Sequence, residues 1–144
     1  MFYGARDARP DTSSWNTSKV TDMSSMFTSA QLATPDTRNW NTGEVQLMAR
    51  MFARAERANP DTSGWDTSKV VTMNEMFEEA VAANPNTSDW NTAQVTNMSG
   101  MFYGAEEANP DVSQWNTSAV TNMAYMFCRA TIATPDTSGW NTAR

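Results

Sequence analysis

The hydrophobic positions of the chain recur every 25 residues, with no insertion or deletion. All six prolines and all eleven methionines follow this period. So does every phenylalanine and tryptophan: Phe2, Phe27, Phe52, Phe77, Phe102 and Phe127, and Trp15, Trp40, Trp65, Trp90, Trp115 and Trp140. A fixed period of this length is typical of repeat architectures, in which each unit buries its apolar surface against its neighbours.

One segment of each repeat has the spacing of an amphipathic helix. Val20, Met23, Phe27 and Ala30 follow one another at steps of three or four residues, which would place them on one helix face. The helix should end before Pro35, because the residue ahead of a proline is pushed out of the helical region. The sequence therefore predicts one short helix per repeat, packed over a core of Val, Met, Phe and Trp.

The segment after each predicted helix indicates a strand. Residues 35–40 carry a threonine and a tryptophan at strand-like positions, and residues 41–43 favour a turn. One short parallel strand and one short helix per 25-residue repeat give an α/β repeat solenoid, with a sheet on one side and helices on the other. We expect residues 1–144 to form a single domain of about six repeats, partial at both ends and without capping repeats.

The amino-acid composition argues against several classes of function. Ten Lys and Arg against sixteen Asp and Glu leave a formal charge of −6, which argues against nucleic acid as a partner. The chain has no histidine, the commonest general base and transition-metal ligand, and its one cysteine, Cys128, cannot form an intrachain disulfide. No apolar run is long enough to span a bilayer. Abundant Thr, Ser and Asn are typical of extracellular or surface proteins.

Nothing in the sequence resembles a catalytic constellation. There is no nucleophile–base pair, phosphate-binding loop or metal cluster, and the carboxylates follow the repeat instead of converging on a pocket. We therefore predict a protein that is not an enzyme and needs no cofactor. The first five residues match residues 101–105, so they belong to the repeat and no targeting signal is present in this chain.

Residues 90–105, WNTAQVTNMSGMFYGA, resemble the 26-residue repeat of bacterial surface proteins, a relative of the BspA-like leucine-rich repeats. The hallmark of that family is W-[ND]-T-S-x-V-T-x-M-x-x-M-F-x-x-A, and the similarity covers essentially the whole chain. Two positions depart from it: Ala33 and Thr37, with their equivalents, replace a common Phe and Ile, which implies a thinner core.

The resemblance implies a leucine-rich-repeat-like arc in a bacterial protein that is displayed at the cell surface or secreted, often as a lipoprotein. It also implies adhesion, with a protein or glycan on a host or neighbouring cell as the partner. A purely structural role, as a spacer or stalk segment, is the alternative that the repeat pattern leaves open.

An acidic position recurs in each repeat and has two interpretations. At strand spacing, neighbouring carboxylates would lie about 4.8 Å apart and repel one another. Each carboxylate could accept hydrogen bonds from the residues that follow it, as in an Asx turn. The alternative is that these carboxylates bind calcium between repeats, because calcium prefers hard oxygen ligands. The calcium candidates are Asp11, Asp36, Asp61, Asp111 and Asp136.

The positions just before each tryptophan vary between repeats and would line an exposed sheet surface. In arc-shaped repeat proteins such a surface is the usual contact face. The alternative is that these residues vary because nothing constrains them. The candidate contact residues are Ser14, Arg38, Asn39, Asp89 and Gln114.

Three further expectations concern surfaces. Arg50 and Arg54 should lie beside Glu75 and Glu79 of the next repeat and form ion pairs. The threonine positions represented by Thr12 and Thr17 would form ladders that could order water, as in ice-binding solenoids. Because neither end carries a polar cap, exposed aromatic edges should allow end-to-end self-association.

Overall fold

The computed structural model describes residues 1–142, and over this range it contains no α-helix and no extended strand. Each repeat is one coil of backbone, and successive coils stack on one another. Regular pairing is limited to single-residue parallel bridges: Asp22–Leu47, Leu47–Thr72, Thr72–Asn97 and Asn97–Asn122. The predicted α/β solenoid, with a helix and a strand in each repeat and the form of a leucine-rich-repeat arc, is therefore wrong.

Tight turns replace the predicted helix. In the third repeat the backbone N–H groups of Met51, Ala53, Ala55 and Ala58 each donate to the carbonyl three residues earlier. An α-helix would need a carbonyl four residues earlier for every consecutive N–H. Here only alternate residues bond within the coil.

The intervening N–H groups, from Met48 to Arg54, donate to the next coil. Four such bonds link the third repeat to the fourth: Met48 to Thr72, Arg50 to Asn74, Phe52 to Met76 and Arg54 to Glu78. Every second donor is therefore used between repeats. This arrangement makes the stability of each coil depend on its neighbour.

Two positions of each coil have left-handed backbone. Arg50 has φ 57° and Arg54 has φ 59°, and the equivalent residues of the other repeats behave alike: Gly4, Ser25, Ser29, Glu75, Glu79, Gly100, Gly104, Tyr125 and Arg129. A left-handed conformation costs an L-residue about 1–2 kcal/mol and cannot be part of a right-handed helix. Hydrogen bonding to the adjacent coil offsets that cost.

The spacing of the coils gives the physical reason why no helix forms. Phe27 and Phe52 lie inside the segment predicted to be helical, and their ring centroids are 5.5 Å apart. Packed α-helices need about 8–10 Å between their axes. Two helices at that separation could not form the direct bond from the backbone N–H of Phe27 to the carbonyl of Met51 at 2.8 Å, whereas coils of single backbone thickness form it. The three-and-four spacing of apolar residues arises from the turns, which return every third or fourth side chain to the interior.

The core is the one that the sequence predicts. All six phenylalanines form one continuous stack and all six tryptophans form another, with neighbouring rings close to parallel. Phe77 is fully buried between Phe52 and Phe102, each 5.6 Å away. Spacings of this size suit offset-stacked aromatic rings. Val, Met and Ala fill the remaining interior.

Both threonine ladders are buried and hold the coils together. Thr62 donates its hydroxyl to the carbonyl of Asn86 at 2.6 Å, and Thr67 donates to the carbonyl of Asn91 at 3.0 Å. The equivalent threonines of other repeats, including Thr12 and Thr17, make the same bonds to the coil that follows them. The expectation of a water-ordering threonine surface is therefore wrong, since these hydroxyls bond to the next coil.

Candidate ligand-binding face

The predicted contact residues lie in turns and not on a sheet. Ser14, Arg38, Asn39, Asp89 and Gln114 are all exposed, each within the turn that precedes a tryptophan. Arg38 folds back onto Asp36, with a nitrogen–oxygen distance of 2.6 Å. These residues follow one another along the stack as a row of turns, and the sheet surface that was to carry them does not form.

The acidic row just before those turns caps them locally. Asp61 accepts hydrogen bonds from the backbone N–H of Ser63 at 3.1 Å and from its hydroxyl at 2.6 Å, which is the Asx turn anticipated from the sequence. Asp11 and Asp111 do the same with Ser13 and Ser113.

These bonds stabilise the ionised carboxylates. The hydroxyl and N–H of Ser63 lower the pKa of Asp61. The side chain of Arg38 lowers the pKa of Asp36 to about 2. Within residues 1–142, no three acidic or cysteine side chains gather where they could share a metal ion. The calcium candidates therefore serve as turn caps in this structure.

A different surface carries the chemically varied side chains, and we call it the charged face. It is formed by the two left-handed positions of each repeat and the residue before the second of them. From the first repeat to the sixth, its residues are Tyr3 and Gly4; Ser25, Thr28 and Ser29; Arg50, Ala53 and Arg54; Glu75, Glu78 and Glu79; Gly100, Tyr103 and Gly104; Tyr125, Cys128 and Arg129.

Ion pairs join the third and fourth repeats across this face. Arg50 donates to Glu75, and the Nε of Arg54 lies 3.1 Å from Glu79. Both pairs were predicted from the spacing, and they form although the helix that was expected to carry them does not. Arg54 also approaches Glu78, at 3.7 Å. Three carboxylates thus share two guanidinium groups, and the fourth repeat keeps an excess of negative charge.

Glu78 is the least satisfied of the three carboxylates. Its side chain is only 17% exposed, and its distance of 3.7 Å from Arg54 is longer than the 3.1 Å between Arg54 and Glu79. Burial raises the pKa of Glu78, and the neighbouring charge of Glu75 raises it further. A desolvated carboxylate without a close donor favours any additional positive charge brought next to it.

The fifth repeat opens the charged face. Gly100 and Gly104 stand where the fourth repeat carries Glu75 and Glu79, so Tyr103 has no side chain on either flank. A depression of about 400 Å³ lies on the Gly100 side of the ring, between Glu75 and Glu78 on one wall and Tyr125 on the other.

A second depression, of about 390 Å³, lies on the Gly104 side of Tyr103. Its walls include Glu79, Glu106 and Arg129. The guanidinium carbon of Arg129 is 5.4 Å from the centroid of the Tyr103 ring. This is the distance of a cation–π contact, so the ring already holds one cation.

Sequence reasoning did not single out Glu78, Gly100, Tyr103 or Tyr125 as site residues. The signal that was present is the change from two arginines to two glutamates and then to two glycines at equivalent positions of successive repeats. Its meaning depends on the left-handed backbone, which directs these positions to one surface.

The two ends of the stack differ chemically. Phe2 and Trp15 are partly buried at the first coil, whereas Val120, Met123 and Trp140 line a depression of about 430 Å³ at the last. The bonds that run along the charged face point from each N–H to the following coil, so the first coil presents carbonyls outward and the last presents N–H groups.

Comparison with known proteins identifies a family but no characterised relative. Among residues 1–142, no helix has the length and apolarity needed to cross a membrane. No curated protein matches the chain. No solved structure matches it either. A protein family described as "Mycoplasma protein of unknown function, DUF285" matches residues 1–111 and again residues 56–144, which together span the whole chain. The chain therefore belongs to this bacterial family of unknown function.

Proposed function

We propose that this chain is a non-catalytic binding module that contacts other proteins through its charged face. The observation that carries this proposal is the distribution of variation between repeats. The stacked Phe, Trp and Ala positions are almost invariant, whereas the charged face runs from Ser through Arg and Glu to Gly and Tyr. Stacking needs identical side chains in register, so variety on one exposed face is available for recognition.

The chemistry of the face suits a protein partner. It combines arginines, glutamates and tyrosines with two depressions, and tyrosine and arginine are among the residues most enriched at interface hot spots. No pair of these side chains has the arrangement of a nucleophile and its base. A glycan on a host or neighbouring cell is the alternative ligand for this face.

The proposed function includes a cellular location and a related repeat family. We place the module at a bacterial cell surface or in a secreted protein and relate it to the BspA-like adhesion repeats. The support is the resemblance of residues 90–105 to that repeat and the abundance of Thr, Ser and Asn. Antibody raised against the chain should label intact cells of the source bacterium. Labelling that requires permeabilised cells would contradict the surface location.

A spacer is the second candidate, and the continuous stacks favour it. The Phe and Trp rings run from the first repeat to the sixth without a break, which would give a stiff rod. A spacer needs no ligand, so a binding experiment separates the two functions.

The experiment is a selection of random peptides displayed on phage against the immobilised chain. The charged-face variant carries Arg54→Ser and Glu79→Ser, because Ser29 occupies the same position in the second repeat. The control carries Arg38→Ser and Asn39→Ser, since serines occupy those positions in the first repeat. We expect enriched peptides that the charged-face variant loses and the control keeps.

Two outcomes would overturn the proposal. If the control loses the enriched peptides and the charged-face variant keeps them, the contact surface is the row of turns. If no peptide is enriched on either protein, the chain acts as a spacer. Circular dichroism and thermal unfolding of each variant establish that the repeats remain folded.

A further inference from the structure

The depression on the Gly100 side of Tyr103 has the walls of a cation site. We propose that it binds the guanidinium group of an arginine side chain presented by a partner protein. This inference rests on the proposed function, since it assigns a ligand group to one part of the charged face. The walls are Glu75 and Glu78 from the fourth repeat, Tyr103 from the fifth and Tyr125 from the sixth.

The shape follows from one missing side chain. At this position of the face, successive repeats carry Ser25, Arg50, Glu75, Gly100 and Tyr125. Because the fifth repeat has only a hydrogen there, the Glu75 side chain leans over the glycine, and a Cβ on Gly100 would lie 3.2 Å from its Cγ. The depression of about 400 Å³ lies beside this contact and reaches Tyr125. Gly100 has φ 60°, the same left-handed conformation as its equivalents, so the glycine is not required by the backbone. Its effect is to let the Glu75 side chain lie over this position, at the edge of the depression.

The charges around the depression are incompletely balanced. Arg50 pairs with Glu75 on the side facing the third repeat. Glu78 lies 3.7 Å from Arg54, which pairs more closely with Glu79. A cation entering from the fifth-repeat side would give Glu78 the close partner that it lacks. Bonds of this kind between a guanidinium group and a carboxylate are short and strong.

The protein itself shows which cation fits. On the Gly104 side of Tyr103, Arg129 places its guanidinium carbon 5.4 Å from the ring centroid. The depression there is also lined by Glu79, Glu106 and a second arginine, Arg54. The Gly100 side offers the same kinds of wall, a tyrosine ring and two glutamates, without an arginine from the chain. Arginine fits better than lysine, because its planar group stacks on rings and bridges carboxylate oxygens.

The test is a titration with the peptide acetyl-Gly-Arg-Gly-amide, followed by NMR shifts of backbone amides and tyrosine rings. The matched control peptide contains citrulline, which has the shape of arginine without its charge. We expect the arginine peptide to shift Gly100, Tyr103 and Tyr125, and the citrulline peptide to leave them unchanged. The lysine peptide should bind more weakly than the arginine peptide.

Variants locate the site. Glu78→Gln should weaken binding about tenfold, whereas Glu107→Gln, which removes the same charge from an exposed position elsewhere, should change it less than about twofold. Gly100→Arg should abolish binding, because its side chain would displace that of Glu75, whose Cγ lies 3.2 Å from the Cβ position, and would bring an internal guanidinium into the depression. Gly64→Arg controls for the added charge, because nothing lies within 4 Å of a Cβ there. Thermal unfolding of both variants establishes that the repeats remain folded.

Equal shifts with the citrulline peptide, or shifts spread over the acidic turns, would overturn the inference. So would binding that survives Gly100→Arg. A lysine peptide that binds more tightly than the arginine peptide would overturn the choice of guanidinium. If the phage selection still yields peptides that depend on the charged face, the proposed function stands and only this ligand assignment fails.

Discussion

The buried threonine ladder predicts two opposite changes in stability: replacing a ladder threonine with valine should lower the free energy of unfolding, and the reverse exchange should raise it. Thr62 is 1% exposed and donates to the carbonyl of Asn86 at 2.6 Å. Val112 occupies the same position two repeats later and is also fully buried, so the fold accepts either side chain. Exchanging the two residue types changes one hydroxyl for one methyl at a site that tolerates both.

The magnitude follows from two opposing terms. Thr62→Val removes a buried hydrogen bond and leaves the carbonyl with one donor fewer, which costs about 1–3 kcal/mol. The added methyl returns up to about 0.8 kcal/mol by burying apolar surface. We expect a net loss of about 1 kcal/mol in the free energy of unfolding. Val112→Thr should gain about 0.5–1 kcal/mol, because Thr87 makes the equivalent bond to the carbonyl of Asp111.

Urea unfolding at pH 7, followed by tryptophan fluorescence, measures both changes. The six stacked tryptophans report the loss of packing throughout the chain. Equal slopes for all three proteins would show that stability, and not the extent of unfolding, has changed. If Thr62→Val stabilises and Val112→Thr destabilises, apolar burial outweighs the hydroxyl bond and the ladder does not hold the coils together.

Three other properties can be measured with similarly small changes. Phe77→Ala should lower the free energy of unfolding by about 3–5 kcal/mol, and Phe127→Ala by about half as much, because Phe127 is only partly buried. Equal losses for the two variants in urea unfolding would contradict the stacked core. Since the bonds from Ser63 lower the pKa of Asp61 in the folded chain, their stabilisation is present above the ordinary aspartate pKa of 3.8 and is lost as pH falls below it. Asp61→Asn should reduce that acid sensitivity while keeping the turn, as Asn86 does with Ser88; an unchanged acid transition would refute this. A polypeptide of these 144 residues should associate head to tail, and Trp140→Ser should weaken this; concentration-independent monomer mass by light scattering would contradict it.

Much of the interior was predictable from the sequence, because under a strict period equivalent residues of successive repeats occupy equivalent places in the stack. The 25-residue spacing places like residues in contact, so Phe27 meets Phe52 and Arg54 meets Glu79 whatever the coil's secondary structure. The Asx turns were predictable for a related reason. They join residues two apart, and no distant contact is needed to form them.

Tertiary structure alone decided the conformation of the backbone. Steps of three and four residues suit both a helix and a succession of turns, and the close stacking of the coils, with ring centroids 5.5 Å apart and backbone bonds between neighbours, favours the turns. That distance lets alternate N–H groups bond to the next coil, which in turn supports left-handed backbone at residues such as Arg54. The charged face and its depressions follow from these conformations. The sequence by itself therefore determined which residues meet, whereas the spacing between coils determined the shape in which they meet.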